Sequence, residues 1–546
     1  MEKRIFVAVL ISIAVLVTWG FLTPILFPKL VKPKTTVTSP KPAGSTKTIT
    51  TKAEDVTPQP VEPPPPRSSE PVKPVSAESM TFTTIETDDY IARFSNRGAV
   101  LVSFQLQKYK TKDGHLVELV KSRDLSRTDF PFSIEARDGA LATRLNTALY
   151  ALNKSNDRGA TVLEYRYADA TGAAATKTFR FSGDYLFNFT AALQPPVPYR
   201  VVIGPGIRNL ELDEKDSQFT ITGNGVAQIN DDLKIIRREK AAGLQSWDSA
   251  QFVGMEDNYF LAVMRPEKAS GALLRAIDFG AGKDKRREIY AGVNAAPDGV
   301  VSGAAFFGPK ETALLDRYGF ERTLQYGTFG IIARFFLIVL NWINKYAHNY
   351  GWAIIVLTIL IKIVLYPLQH KWMMSMKKLQ KVQPKMEAIK ARYRKHRTDP
   401  EQRQKMNQDM MKLYQQEGIN PAGGCLPMVI QFPIFVGFYN LLSHAIELRG
   451  APFILWIHDL SAKDPTYVLP ILMTAAMFVQ QFITPTTADP AQRRMFLIMP
   501  IVFGWIFKEF PGGLVLYWLV QNILTIVQQL IMNRYWKDHP AELQTA

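Results

Sequence analysis

Hydrophobic and polar positions follow three different rhythms along the chain, and each predicts its own kind of element. From Thr81 apolar residues recur at every second position: Tyr90, Ala92 and Phe94 alternate with their neighbours, Asn96-Arg97-Gly98 supplies a turn, and Val100, Val102, Phe104 and Leu106 resume the alternation. The same grammar returns at Phe179 and Phe181, a Ser182-Gly183-Asp184 turn, then Tyr185, Phe187 and Phe189. Period two sends successive side chains to opposite faces of a strand, so residues 81–328 read as one large all-β sandwich. A second rhythm, three or four residues long, runs through Met373, Met376, Leu379, Val382, Met386 and Ile389. It resumes at Met406, Met410 and Leu413 after Thr398-Asp399-Pro400, a cap followed by proline at the first helical position. Residues 369–423 therefore read as an antiparallel helical hairpin.

The third rhythm is almost unbroken apolarity. Runs at 5–26, 350–368, 424–444, 466–484, 495–510 and 514–532 are each of a length to cross a bilayer as a helix, the fifth only with tilt or local thinning. The first belongs to an expected amino-terminal anchor, 1–28. It ends in WGFLTPILFPK without a small-residue cleavage pattern, so it is expected to stay uncleaved. Residues 29–80 are rich in proline and threonine and read as an extended tether. The stretch 329–349 is apolar but short and carries Arg334, which suits a helix lying in the interface, or one closing the β domain. A loop at 445–465 and a tail at 533–546 complete a multi-pass α-helical membrane protein with an exported β domain.

Charge fixes the expected orientation. The formal net charge is +16, yet from Thr81 to Thr328 there are 32 Lys and Arg against 31 Asp and Glu. The excess sits beside apolar runs: Lys371 to Gly418 holds 13 basic and 5 acidic residues. With Lys3 and Arg4 cytosolic, six spans put the hairpin, Arg493-Arg494, and Arg534 with Lys537 on that same side, as the positive-inside rule asks. Both termini are then cytoplasmic and the β domain periplasmic. Short basic segments of this kind fit a lipid bilayer better than nucleic acid. The single cysteine, Cys425, excludes an intrachain disulfide and a cysteine-based zinc site, and the histidines show no metal-ligand spacing. No cofactor is expected. No phosphate loop, zinc-protease or nucleophile-elbow motif occurs in the β domain.

Candidate chemistry therefore concentrates in the apolar helices. Lys362 stands inside the run Trp352 to Tyr366, in a 19-residue span about 28 Å long. A lysine near a bilayer centre costs roughly 2.5–3.5 kcal/mol on insertion scales. Either its stem snorkels to the interface, about 9 Å away at Leu368, or it faces a wet, protein-lined space. Thr358, four residues earlier on the same face, favours the second. Tyr517, Gln521, Thr525 and Gln528 make a polar stripe along the last span, while Gln431 and Asn440, and Gln480, Gln481 and Thr484, interrupt two others. Singly each reads as a helix-to-helix hydrogen bond. Together with Lys362 they predict a hydrophilic groove.

Three stretches carry a family resemblance: NPAGGCLPMVIQFPIF from Asn420 to Phe435, APFILWIHDLSAKDP from Ala451 to Pro465, and FPGGLVLYWLVQN from Phe510 to Asn522. They resemble the YidC/Oxa/Alb insertases of Gram-negative type over essentially the whole chain. The resemblance implies a five-helix insertase core that chaperones and inserts nascent membrane proteins without nucleotide, alone or beside the Sec translocon. It implies a groove with one basic residue, usually arginine; here the position holds Lys362, which keeps the charge and loses the bidentate fork. Substrate-contacting positions fall on Thr358, Phe432, Phe435 and Trp518. The hairpin would receive clients from the ribosome or targeting factors, and the sandwich would touch Sec accessory proteins. The competing readings are a secondary transporter or anion channel using Lys362, a membrane enzyme, and a simple tether for the β domain. No inverted repeat and no converging acid, base and nucleophile support the first two.

Overall fold

The computed structural model describes residues 74–538 except 112, 122–128, 209–222, 242, 269, 280–285, 328, 394–398, 419–425 and 485–489. The expected anchor, nearly all of the tether and Cys425 lie outside the described residues.

The alternating segment forms three antiparallel sheets. Nine strands stand in the spatial order Asp232–Ile236, Asn224–Ile229, Phe252–Glu256, Phe260–Pro266, Val300–Pro309, Leu186–Gln194, Ala174–Phe181, Ala160–Ala168 and Ala151–Asp157. Against this sheet pack a five-stranded one, Leu244–Ala250, Ser270–Phe279, Arg286–Asn294, Tyr199–Ile203 and Ser133–Ala136, and a four-stranded one, Phe82–Glu86, Tyr90–Ser95, Val100–Lys110 and Leu116–Glu118. Period two does its work here. Phe179, Phe181, Phe187 and Phe189 all turn inward and are buried, and the first three meet Phe94 or Phe104 from the four-stranded sheet. Phe132 bridges them, its ring centroid 5.0 Å from Phe179 and 5.2 Å from Phe189. Burying a phenylalanine contributes about 1.5–3 kcal/mol, so this aromatic seam holds the layers together. Two short helices, α1 (Gly139–Thr147) and α2 (Thr312–Tyr318), flank the sheets.

Helices dominate from Gly330 onward: α3 (Gly330–Ala347), α4 (Tyr350–Arg392), α5 (Pro400–Gln416), α6 (Leu426–His444), α7 (Val468–Ile483), α8 (Pro490–Phe507) and α9 (Gly512–Asp538). By length and composition, 350–392 and 512–535 can cross a membrane, and two shorter apolar helices, 468–483 and 496–507, stand with them. Asn349 starts α4 by accepting hydrogen bonds from the amides of Gly351 and Trp352. That helix does not end near Leu368 as the loss of hydrophobicity predicts; it continues without a break to Arg392, carrying Pro367 and Pro384 within it. Asp399 caps α5, with Pro400 at its first turn. The hairpin is closed by Val382, Met386 and Leu413 and by the Lys385–Glu417 pair at 2.6 Å.

Close backbone approach joins α3 to α6: a Cβ on Gly437 would sit 2.8 Å from Ile332 Cγ2. Glycine is what lets these helices touch. One face of α3, comprising Ile331, Phe335, Ile338, Trp342 and Tyr346, remains exposed, while Ala333, Phe336, Leu337, Leu340 and Ile343 are buried. The β domain sits on the chain that follows α6. Asn258 Nδ2 donates to the Ser443 carbonyl at 2.9 Å, Thr312 Oγ1 to Glu447 at 3.3 Å, and Ile446 joins the sandwich core. Arg449 lies over the rings of Tyr259 and Phe260.

Candidate functional site: a polar cavity among the helices

A cavity of about 390 Å³ opens between α4, α6, α7, α8 and α9. Its floor is set by Lys362, which is only 9% exposed and so does not escape to an interface. Its Nζ donates to Thr525 Oγ1 at 2.8 Å, and that hydroxyl in turn donates to the Gln521 carbonyl one turn earlier at 2.7 Å. The ammonium has three donors, and among the described residues no carboxylate lies in ion-pair contact with it. A buried cation with one hydroxyl partner is under-satisfied; it attracts anions or water into the space beside it.

The predicted polar stripe splits in two. Gln431, Gln521, Thr525 and Gln528 line the cavity with Lys362. Thr358 and Tyr517 do not. Thr358 is fully buried and spends its hydroxyl on the Ile354 carbonyl of its own helix, at 2.6 Å. This return bond to position i−4 is a common fate for threonine in helices and uses up the hydroxyl's one donor. Tyr517 is also fully buried, stacked on Phe438 at 4.4 Å with rings 15° apart, and its hydroxyl is held by Gln431 Nε2. It acts behind the wall, fixing the amide that does face the cavity.

The apolar side holds Phe432, Phe435 and Trp518 together. Phe435 meets Trp518 edge-on at 5.3 Å and Phe507 at 5.8 Å, and Phe507 meets Trp518 at 5.5 Å. Phe432 is 41% exposed and stands at the rim. Residues not foreseen also line the space: Gln369, Trp372, Asn522, Phe503 and Phe507. For Gln369 and Trp372 the signal was available. Gln369, seven residues after Lys362, falls on the same helical face, and Trp372, ten residues after it, on the flank of that face, once α4 is allowed to run past Leu368. Among the described residues no group of three His, Cys, Asp or Glu is placed to hold a metal ion.

A helical core with apolar outer faces, a sheltered cation and an appended β sandwich defines the class as an α-helical integral membrane protein with a large all-β domain. The family described as "60Kd inner membrane protein" matches residues 342–539, and the "YidC periplasmic domain" matches residues 83–339. The membrane protein insertase YidC of Geotalea daltonii is 33% identical over 560 residues, covering 98% of this chain and 99% of that protein. That of Geobacter metallireducens is 34% identical over 564 residues, covering 98% of each. A crystal structure of an active YidC insertase with its first transmembrane domain resolved aligns over 84% of this chain and 94% of that one, at 18% identity and a TM-score of 0.39. The chain belongs to the YidC family of membrane protein insertases. These relatives give the transporter reading no support.

Proposed function

We propose that the chain is a membrane protein insertase and chaperone, acting on nascent membrane proteins in the lipid bilayer through the Lys362 cavity. The observation that carries this reading is the sheltered ammonium with a single hydroxyl partner, facing apolar Phe432, Phe435 and Trp518 across one space. A client's polar or acidic tail enters the cavity and keeps hydrogen-bonding partners while inside the bilayer, which lowers its crossing barrier. Lys362 attracts the tail; the client's apolar segment then slides past Phe432 and Phe435 into lipid, where partition free energy holds it. The work is binding and release, without bond-making chemistry or a cofactor.

The charge pattern supports a six-span topology in the cell inner membrane, with both termini and the α4–α5 hairpin cytoplasmic and the β domain periplasmic. On that topology the hairpin is positioned for the ribosome or targeting factors, and the β domain for the Sec translocon and its accessory proteins. Photo-crosslinking to a stalled membrane-protein chain tests the route. Probes at Phe432, Phe435 and Gln431 should capture the client, whereas a probe at Thr358, fully buried and not among the residues lining the cavity, should not. Capture only from the exposed face of α3, at Ile331 and Trp342, would place the client elsewhere.

A further inference from the structure

Helix α8 has two working faces. Phe503 and Phe507 line the cavity that holds Lys362, whereas Ile501, Gly504 and Trp505 line a second space of about 640 Å³, which α8 shares with α7 on another side. The two helices touch along the floor of this groove, where a Cβ on Gly504 would collide with Thr474 Oγ1. Its rims are apolar and open: Ile471 and Trp505 are both exposed. In a bilayer such a groove faces hydrocarbon, and leaving it empty forfeits the dispersion contacts of every atom that lines it.

Length and charge identify the occupant. From Tyr467 to Phe478, both in the groove, the chain rises about 16 Å, close to the hydrocarbon depth of one leaflet, half of roughly 30 Å. Tyr467, just before α7, and Lys508, just after α8, stand at the same end and also line the groove. The Lys508 ammonium lies 5.2 Å from the centre of the Trp505 ring, an aromatic of the kind that favours the headgroup level. Around it, Lys463 and Lys508 flank Glu509 at 3.5 and 3.8 Å, two cations to one anion, so a positive charge is left over. Apolar walls one leaflet deep, headed by a net cation and a phenolic hydroxyl, match a phosphate ester that carries an acyl chain. The surplus charge favours a headgroup with net negative charge over a zwitterion.

We propose that the α7–α8 groove is a binding site for an anionic glycerophospholipid, with one acyl chain laid along Ala475 and Gly504 and the phosphate held by Lys508. On the six-span topology this end is periplasmic, so the lipid comes from the periplasmic leaflet. Because Phe503 and Phe507 belong to the same helix as Gly504 and Lys508, the bound lipid seats α8 and with it part of the apolar wall of the Lys362 cavity.

Native mass spectrometry of the full-length protein, released from detergent after titration with palmitoyl-oleoyl phosphatidylglycerol or the matching phosphatidylethanolamine, tests the site. Wild type should retain one phosphatidylglycerol roughly threefold to tenfold more tightly than phosphatidylethanolamine. Lys508→Gln, an exchange at the surface that spares the helix contact, should abolish that preference. Ala475→Phe fills the groove and should displace the lipid with the charge intact. Lys345→Gln, which removes an exposed cation at the end of α3, should change nothing. Equal retention of the two lipids by wild type, or an equal loss with Lys345→Gln, would overturn the proposal, because the binding would then be unselective. Competition by inorganic phosphate would make it a site for a free anion instead. A photoprobe in place of Ile471 should label phospholipid; label on residues 5–26 would show that the amino-terminal apolar run fills the groove and would overturn the proposal as well.

Discussion

Two buried lysines, one in the sandwich and one among the helices, show how the same side chain serves opposite ends. Lys177 is 1% exposed; its Nζ donates to the carbonyls of Gly98 at 2.6 Å and Phe132 at 2.7 Å, with Ala99 at 3.4 Å. Those acceptors come from chain 45 to 79 residues away, so Lys177 ties the nine-stranded sheet to the loops that cross its face. Lys362 has one hydroxyl and an open space. A lysine whose donors are used up is a structural clamp. One whose donors are left over holds potential for a ligand. Burial alone separates neither case; the inventory of acceptors does.

The contrast can be broken by mutation, and the largest effect belongs to the clamp. Lys177→Ala orphans buried carbonyls and should cost about 2–4 kcal/mol of β-domain stability, measured by denaturant unfolding of the purified chain followed by tryptophan fluorescence. Next comes the tight contact of α3 with α6. Gly437→Leu drives a side chain into Ile332 and should cost about 1–3 kcal/mol, seen as a lower unfolding temperature in detergent.

A smaller effect follows pH. Burial pushes the Lys177 ammonium down to about 7. Below that value both folded and unfolded chains hold the proton. Between it and the ordinary lysine value of about 10.4 the unfolded chain alone holds it, so this group's contribution to stability rises with pH across that window. Between pH 7 and 8 the stability of the wild type relative to Lys177→Met should rise by about 1 kcal/mol. An unchanging difference would mean that the carbonyl cage keeps the ammonium charged. Smallest of all is the structural effect at the groove: Lys362→Ala loses one hydrogen bond and relieves a buried charge, so its unfolding free energy should stay within about 1 kcal/mol of wild type.

Much of this was legible in the residues. Alternation at Phe179, Phe181, Phe187 and Phe189 announces buried faces because a strand has only two sides. The apolar run around Lys362 poses its own question, since hydrocarbon makes a stray charge conspicuous. Other features lay beyond local pattern. The order of nine strands and the pairing of Lys362 with Thr525, 163 residues apart, depend on long-range packing that no period encodes. Thr358 and Tyr517 show why a polar stripe is wider than the site it marks. A threonine hydroxyl can satisfy itself on its own helix, and a tyrosine one position from Trp518 turns to the neighbouring face. Trp372 was hidden by a boundary drawn where hydrophobicity falls, although the helix continues past it.

The central claim is that an under-satisfied positive charge inside the helical core receives client tails. Insertion of an acidic-tailed client into proteoliposomes, compared among wild type, Lys362→Arg and Lys362→Ala at matched protein levels, tests it most directly. Retention with arginine and loss of about tenfold or more with alanine is the predicted outcome. Equal insertion of that client by all three proteins would contradict the account.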